Sequence, residues 1–385
     1  MFLYIAIFLF VVINYLTNID NQRNSKKLWA VYILGLGVFV GLGDMLGGYD
    51  RYIYGNLFDQ LADVRASGGN VLASQVFMLY HNEPMYGILN VLISFLTSNR
   101  YIFIFVITLI VYINLFFAIT RYCDNYAIAV VLFMGLMFFF TFTYLRQMLA
   151  ASFVWWAYKY LIERKPVRYF AVVVFAALIH NSALIMLPIY FVPNVKYNKG
   201  AVLILLLLCF VLGAVGVSNM LYGGYGDYID ELRAESMINE EGGLRWAYLL
   251  ESVVFSALIF MNYDKVDERD TTQVGMLNLA LLFCAVLLLF IRSENGGRIS
   301  WMFTMGLIAT LCHMSGTEKR ITIMPLICLV LSSGLFFRIL RGWGENGYQI
   351  LYPYKTFLTD GVRNPDNCHE EYEYDNNYDD DKFYR

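Results

Sequence analysis

The stretch "TFTYLRQMLAASF" at residues 141–153 places an arginine and a glutamine between two long apolar runs. The run "AIAVVLFMGLMFFF" (127–140) precedes it and "VWWAYKYLI" (154–162) follows it. Both runs are typical of membrane-spanning helices. A guanidinium near the centre of such a helix costs about 2.5–3.5 kcal/mol even on a lenient scale. Arg146 therefore needs a partner or a ligand that makes its position tolerable.

The composition of the whole chain points to the lipid bilayer. Of its 385 residues, 59% are hydrophobic, 17% are aromatic and only 15% are charged. An ordinary soluble domain has about 45–50% apolar and about 25% charged residues. The net charge of −3 says little about nucleic acid, no lysine or arginine block stands out, and no nucleic-acid partner is expected. We predict an all-α, polytopic integral membrane protein that contacts the lipid bilayer.

Apolar runs long enough to cross a bilayer, about 20 residues each, recur along the sequence. Two stretches are ambiguous. Residues 86–98 form an apolar run that is short for a crossing, and residues 169–192 fit either one long helix or two short limbs joined near His180. The clear spans lie near 2–16, 28–46, 101–120, 126–143, 148–162, 200–217, 246–262, 273–291, 299–315 and 321–338. The chain is therefore predicted to have about 11–12 transmembrane helices.

These spans define one transmembrane domain, predicted at residues 1–340, with outer loops at 47–85 and 218–245. The remaining residues, 341–385, form a polar, acidic and tyrosine-rich tail. The end of this tail is expected to be disordered, because it has too few apolar residues to build a core.

The lysines and arginines orient the helices, because short cytoplasmic loops carry an excess of positive charge. One arrangement places every basic short loop in the cytoplasm: 86–98 does not cross the bilayer and 169–192 forms a hairpin. The basic loops are "NQRNSKK" (21–27), "ERKPVR" (163–168), "KYNK" (196–199) and "EKR" (318–320). The same arrangement puts on the outer face the 47–85 loop, Arg146, His180, the 218–245 loop and "RSENGGR" (292–298).

Two carboxylates stand at predicted helix ends that flank the first outer loop. Asp50 in "GGYDRYIY" and Glu83 in "YHNEPMYG" are each next to tyrosines. A carboxylate whose pKa is tuned by burial takes a proton from a sugar hydroxyl, and tyrosine rings stack on sugars. The alternative is an ordinary solvated loop with surface charge.

Arginine and histidine occupy further polar positions. Arg146 and Gln147 begin a helix directly after a span, which fits either a snorkelling interfacial arginine or a phosphate clamp, since the guanidinium fork matches phosphate oxygens. His180 in "ALIHNSALI" is followed by Asn181 and Ser182. Three polar groups together favour a site that faces a water-filled cavity over a lone helix–helix hydrogen bond.

Arg292 and Arg298 flank "SENGG", whose glycines permit a tight turn that presents both guanidiniums. An ordinary loop of mixed charge is the alternative. The sequence has neither a phosphate-cradling loop of the G-x-x-x-x-G-K type nor an H-E-x-x-H zinc motif. No metal and no other cofactor is therefore predicted, and the energy must come from a gradient or from a pre-activated, lipid-linked substrate.

Taken in order, these pieces resemble the EpsG-like branch of the Wzy-type membrane polysaccharide polymerases, over residues 1–358. Each piece is weak alone, but five of them follow in the right order among about a dozen helices. They are "GGYDRYIY" (Asp50, Tyr54), "EPMYGIL" (Glu83, Tyr86), "YLRQMLAASF" (Arg146, Gln147), "ALIHNSALI" (His180, Ser182) and "GGRISWMF" (Arg298).

The resemblance implies a membrane glycosyltransferase with a GT-C-like architecture in the bacterial inner (cytoplasmic) membrane. It would transfer a growing glycan from undecaprenyl diphosphate to a hydroxyl of the next lipid-linked repeat unit at the outer face, without metal or nucleotide. A chain-length regulator and a flippase are the implied protein partners. The implied catalytic residues are Asp50, Glu83 and His180, and the implied diphosphate- and sugar-binding residues are Arg146, Gln147, Arg298, Arg292, Tyr54 and Tyr86.

Two other functions remain open from the sequence. A transporter or flippase of lipid-linked oligosaccharides would bind diphosphate through the same arginines without breaking a bond. Such proteins usually have internal repeats and polar residues at the midplane of several helices, and no repeat is visible here. A membrane O-acyltransferase acting on polysaccharide would use His180 as its base, and this leaves Arg146 and Arg298 without an obvious role.

Overall fold

The computed structural model describes residues 1–17, 25–218, 243–293, 296–316, 322–344, 351 and 354–358. Within these ranges the chain is helical apart from short connections and an isolated backbone bridge between Gly43 and Thr356. Most of the predicted outer loop 218–245 and of the predicted tail 341–385 lies outside the described residues, as do residues 21–24 of the basic segment 21–27 and the whole of the basic segment 318–320.

Sixteen α-helices and four 3₁₀ helices are present in the described part of the chain. The α-helices are α1 (Phe2–Thr17), α2 (Lys26–Leu42), α3 (Tyr49–Ala66), α4 (Gln75–Leu79), α5 (Pro84–Ser94), α6 (Arg100–Tyr122), α7 (Tyr126–Leu136), α8 (Phe140–Thr143), α9 (Leu145–Ile162), α10 (Pro166–Ala177), α11 (Lys199–Val215), α12 (Trp246–Met261), α13 (Thr271–Leu289), α14 (Gly296–Ser300), α15 (Thr304–Ser315) and α16 (Ile323–Gly344). The 3₁₀ helices span Val71–Ala73, Asn181–Phe191, Tyr263–Lys265 and Trp301–Phe303.

Three of the described helices are long and apolar enough to cross a membrane by length and composition: α6, α13 and, over Ile323–Trp343, α16. Seven shorter apolar helices, of 10–17 residues, accompany them. Exposed leucine, valine and phenylalanine side chains on α1, α11 and α16 face outward, as expected where lipid is the solvent. The prediction of an all-α, polytopic membrane protein is confirmed.

The centre of the bundle contains α7, a helix that is apolar on every side. All residues of α7 are buried, and a helix that is hydrophobic all round belongs in the interior. α6 is joined to α9 by polar bonds: Asn114 donates to the Ser152 hydroxyl at 3.0 Å, and the Tyr122 hydroxyl donates to the Trp155 carbonyl at 2.9 Å. Such bonds link membrane helices because lipid offers polar groups no partner. They fix α9, which carries Arg146.

The predicted span at 126–143 is not one continuous helix, because the chain divides it into α7 and α8. The amides of Met137 and Phe138 both donate to the Phe133 carbonyl, so α7 ends in a tight turn. The sequence here is apolar throughout and has no proline to mark the break. After the turn the chain becomes helical again at Phe140, where the short helix α8 begins. α9 then follows directly after Tyr144.

The segment 47–85, predicted as an outer loop, is instead largely helical. It contains α3, a 3₁₀ turn and α4. α3 has too many polar residues for a hydropathy criterion to detect, yet it buries Tyr52, Leu57, Phe58 and Leu61 against the bundle. Amphipathic packing, and not overall hydrophobicity, makes this segment a helix.

Neither of the two ambiguous stretches forms a helix long enough to cross a bilayer. The short run at 86–98 is α5, an 11-residue helix. The long run at 169–192 is two limbs, α10 and the Asn181–Phe191 3₁₀ helix. The limbs lie side by side, because the Tyr169 hydroxyl donates to the Met186 carbonyl at 2.5 Å and its ring is 5.2 Å from that of Tyr190. His180 stands at the junction between the limbs.

Candidate functional site

Arg146 is enclosed at the start of α9 by an acid and three aromatic rings. Only 2% of its surface is exposed, and its guanidinium forms an ion pair with the Glu83 carboxylate. The guanidinium carbon lies 3.6 Å from the centre of the Tyr80 ring, 5.5 Å from Tyr86 and 5.6 Å from Tyr54. Cation–π contact stabilises a desolvated guanidinium by about 2 kcal/mol. The carboxylate and the rings together make this buried cation tolerable.

Glu83 connects three segments at this point. It directly precedes α5, in which Pro84 occupies the first turn, and its Oε1 accepts a hydrogen bond from the Asn181 amide at 2.8 Å. The Met85 amide donates to the Leu178 carbonyl at 3.0 Å. Glu83 therefore joins the start of α5, the start of α9 and the break between the two limbs of 169–192.

His180 caps the second limb through its ring. Its Nδ1 accepts from the Ser182 amide at 3.2 Å and lies 2.9 Å from the Ser182 hydroxyl. An amide N–H only donates, so Nδ1 is the acceptor, and in the neutral imidazole Nε2 carries the hydrogen. The ring is half-buried. In this tautomer His180 presents a hydrogen-bond donor, which suits a positioning role better than that of a base.

Gln147 links this cluster to Arg298. Its Nε2 donates to the Ser182 hydroxyl at 3.2 Å and to the Arg298 carbonyl at 3.1 Å. The backbone of α14 is therefore held against the start of α9 and against the second limb. The sequence pattern predicted that these three segments share one face, and they meet in the structure.

Arg298 lines a cavity of about 280 Å³. Its guanidinium carbon is 4.1 Å from the centre of the Tyr144 ring. Three arginines and one glutamate are the charged lining residues, giving a net charge of +2, and they are Arg245, Arg298, Arg338 and Glu251. Arg338 on α16 donates to Oε1 of Glu251 on α12 at 3.0 Å. Guanidiniums from three separate segments thus converge on one space.

The rest of the cavity wall is mainly apolar. Phe140 stacks on Trp301 with their ring centres 4.6 Å apart, and aliphatic and aromatic side chains from α7, α13 and α16 complete the wall. These are Leu136, Phe283, Leu287, Leu335 and Ile339. A cavity with clustered cations and an apolar wall matches an amphiphile whose head is anionic.

The other predicted residues lie in different surroundings. Asp50 is half-buried in the first turn of α3, one helical turn before Tyr54 and therefore on the same helix face. Arg292 donates to the Ala214 carbonyl at 3.3 Å, at the end of α11. Among the described lining residues of the cavity, neither Arg146 nor Arg292 appears. Residues 294–295 of the predicted turn lie outside the described residues, and of its two flanking arginines Arg298 lines this cavity whereas Arg292 does not.

Several residues of the site were not singled out from the sequence. Tyr80 has the ring closest to Arg146, and Tyr144 supports Arg298. Glu251 is the one charged residue of α12, and Arg338 is one of two arginines in the otherwise apolar α16. An ionisable residue in a membrane helix is by itself a functional-site candidate. That signal was available in the sequence. The contact between Tyr80 and Arg146 depends on the fold of residues 47–85, so it could not be predicted from the sequence.

The fold and this site define a class: a polytopic, all-helical membrane protein whose buried charges gather where α5, α9 and α14 meet, beside a cationic, amphipathic cavity. A family model described as EpsG family matches residues 28–356, nearly the whole chain. The chain belongs to the EpsG family, which is a Wzy-like polysaccharide polymerase family. The predicted membership is confirmed, and the protein is a membrane polymerase with glycosyltransferase-like activity in polysaccharide biosynthesis.

Searches of curated proteins and of solved structures returned no match to this chain. The assignment of individual residues therefore depends on the chemistry of the site itself.

Proposed function

We propose that the protein elongates a polysaccharide by transferring the growing glycan from undecaprenyl diphosphate to a hydroxyl of the next lipid-linked repeat unit. The observation that carries this proposal is the cavity in which Arg245, Arg298 and Arg338 converge beside an apolar wall. Guanidinium groups bind phosphate oxygens through paired, charge-assisted hydrogen bonds. The apolar wall suits the first prenyl units of the carrier lipid.

The chemistry of the donor explains why cations are needed. The bond between the sugar and the diphosphate breaks, the acceptor oxygen bonds to the anomeric carbon, and the diphosphate leaves with the electron pair. Negative charge grows on the leaving group, and stabilising such charge is usually a large catalytic contribution. The donor is already activated, so the proposed reaction draws no energy from a nucleotide and assigns charge stabilisation to arginines in place of a metal.

Arg298 contacts the diphosphate in this proposal. Arg146, the other predicted clamp residue, has its charge compensated by Glu83 and is assigned a structural role at the start of α9, and Gln147 sets the position of α14. The acceptor hydroxyl loses its proton to a carboxylate, for which Asp50 and Glu83 are the proposed candidates. Glu83 already accepts bonds from Arg146 and from the Asn181 backbone amide, so Asp50 is the preferred candidate of the two.

The acceptor sugar is proposed to bind near the same junction. Tyr54 and Tyr86, predicted to stack on sugar, are instead buried around Arg146 and support the start of α9. His180 is proposed to donate a hydrogen bond to the sugar through Nε2. The site is proposed to face the outer side of the bacterial cytoplasmic membrane, because the repeat unit polymerises after a flippase has moved it across. A chain-length regulator would act on the same growing chain.

Deletion of the gene tests the reaction class. A strain without the polymerase is expected to accumulate single lipid-linked repeat units that face outward and are accessible to an external glycan-modifying enzyme. Repeat units that stay on the cytoplasmic side would indicate a flippase, and polymer of normal length that lacks acyl groups would indicate an acyltransferase.

A substitution tests the site. Arg298→Gln is expected to abolish polymer longer than a few units while the protein remains at wild-type level in the membrane. Arg168→Gln, the same change at the exposed start of α10, is the matched control and is expected to leave chain length unchanged. Normal polymer from Arg298→Gln would refute the proposed diphosphate site.

A further inference from the structure

Glu251 is an unexpected residue in an anion-binding cavity. It is the acidic residue of α12, and among the described lining residues it is the cavity's one carboxylate. Its side chain is 19% exposed, whereas that of its partner Arg338 is 53% exposed. The acid is therefore the deeper member of the pair, and it opposes the binding of any anion to the neighbouring guanidiniums.

The ion pair is not needed to make Arg338 tolerable. An exposed arginine near a helix end reaches a polar environment by extending its side chain. Arg338 stands in the last third of α16, which ends at Gly344. A carboxylate in a membrane helix is costly, and a pair in which one side chain is half-exposed adds little stability. The presence of Glu251 calls for a reason other than packing.

The charge of the reaction product supplies that reason. In the donor, one diphosphate oxygen is esterified to the sugar, and in the product that oxygen is free to ionise. The product is thus more negative than the donor, and a cavity lined by arginines alone holds it more tightly than the donor. A fixed negative charge in the cavity repels the product more strongly than the donor.

We infer that Glu251 is a built-in counter-ion that holds Arg338 while the cavity lacks a lipid diphosphate and takes Arg338 back as the spent carrier leaves. This inference rests on the proposed function and deepens it. Donor binding exchanges one anionic partner of Arg338 for another. Product release exchanges them again, so Glu251 limits retention of undecaprenyl diphosphate.

The test measures binding and turnover in the same variants. The purified full chain in lipid nanodiscs is titrated with undecaprenyl diphosphate, and turnover is followed with lipid-linked repeat units taken from a polymerase-deficient strain. Glu251→Gln is expected to bind undecaprenyl diphosphate about tenfold more tightly, since a like charge within a few ångströms is removed. Both KM and kcat are expected to fall, because release becomes slow.

Matched variants separate this role from a structural one. Glu163→Gln removes the same charge from an exposed pair with Lys165 at the far end of α9 and is expected to bind like the wild type. Arg338→Gln is expected to weaken binding. The double variant Glu251→Gln with Arg338→Gln is expected to bind more tightly than Arg338→Gln alone. This second comparison still tests the effect of Glu251 if the single variant Glu251→Gln gives little folded protein.

The results distinguish two failures. If wild-type protein binds undecaprenyl diphosphate no better than a neutral prenyl alcohol, the proposed function itself is wrong. If the wild type binds it and folded Glu251→Gln binds it equally or more weakly, the proposed function stands and the counter-ion role is wrong. If Glu251 had only a structural role, Glu251→Gln would lower the stability of the protein and weaken the binding of undecaprenyl diphosphate, whereas the counter-ion role predicts tighter binding.

Discussion

Glu83→Gln isolates the charge of the buried ion pair with Arg146. Glutamine keeps the size of the side chain and an oxygen that accepts from the Asn181 amide, and it leaves the three tyrosine rings around the guanidinium unchanged. What is lost is the compensating negative charge. Removing one partner of a buried ion pair typically costs about 3–5 kcal/mol, and Arg146 at 2% exposed has no route to solvent. We therefore expect a loss of about 3 kcal/mol in the free energy of unfolding, because the rings and the introduced amide oxygen retain part of the stabilisation.

The measurement is unfolding in detergent micelles followed by circular dichroism, together with protein level in the membrane. The double variant Glu83→Gln with Arg146→Met removes both charges and is expected to recover about half of the loss or more, because neutral replacement of a buried pair is commonly tolerated. Glu163→Gln, in an exposed pair, is the control and is expected to leave the unfolding midpoint unchanged. Wild-type stability for Glu83→Gln, or no recovery in the double variant, would show that the pair is not the reason Arg146 is tolerated.

Three other substitutions test separate parts of the structure. Asp50→Asn is expected to reduce glycosyl transfer by at least about a hundredfold in a purified assay while the affinity for lipid diphosphate stays unchanged; a wild-type rate would remove Asp50 as the base. Gly135→Val is expected to lower the free energy of unfolding by about 1–3 kcal/mol, because a Cβ there would lie 2.7 Å from the Ser332 Cα. Thermal unfolding measures this loss, and the control is Gly334→Val, where an added Cβ meets no atom within 4 Å. Gln147→Leu is expected to shorten the polymer by releasing α14 from α9, measured by gel analysis of chain length at equal protein level, and an unchanged length distribution would contradict that role.

The sequence predicted the class of the fold and the members of the cluster better than it predicted their contacts. Apolar runs of bilayer length and the loop charges were enough to give an all-α membrane protein, because lipid imposes a strong compositional requirement. The loop charges also indicated a break within 169–192, and that break carries His180. The helix at α3 was missed because its apolar residues lie on one face only.

Contacts between residues far apart in the chain could not be predicted from the sequence, for a physical reason. Glu83 and Arg146 are 63 positions apart, and the ring nearest to Arg146 belongs to Tyr80, in a segment that was predicted to be a loop. Whether an arginine meets a carboxylate or a cavity depends on how α5 and α9 pack. Helix periodicity does not contain that information. Glu251 in α12 and Arg338 in α16 were visible in the sequence as charges within apolar helices, and the cavity that they share was not.

Arg146 and Arg298, the two residues predicted to clamp the diphosphate, have different surroundings and therefore different roles. Arg146 has its charge compensated inside the protein by Glu83 and aromatic rings, so a ligand must compete with a carboxylate that is already in contact. Arg298 stacks on Tyr144 at the wall of a cavity that has net positive charge. Binding energy for a diphosphate is therefore available at Arg298 without breaking a buried pair.

Because of this difference, we expect the same substitution at the two arginines to affect different properties: stability at Arg146 and donor affinity at Arg298. Arg146→Lys keeps the charge but loses the guanidinium fork and its face-to-ring contact with Tyr80, so protein stability should fall and donor affinity should change little among the molecules that remain folded. Arg298→Lys should keep stability and lose donor affinity, because a lysine offers one point charge where a guanidinium offers a fork. Measuring unfolding and lipid-diphosphate binding on both variants decides between the assignments. If Arg146→Lys proved stable and lost donor affinity as strongly as Arg298→Lys, both arginines would have to reach one diphosphate, and the Glu83 pair would have to open during the reaction.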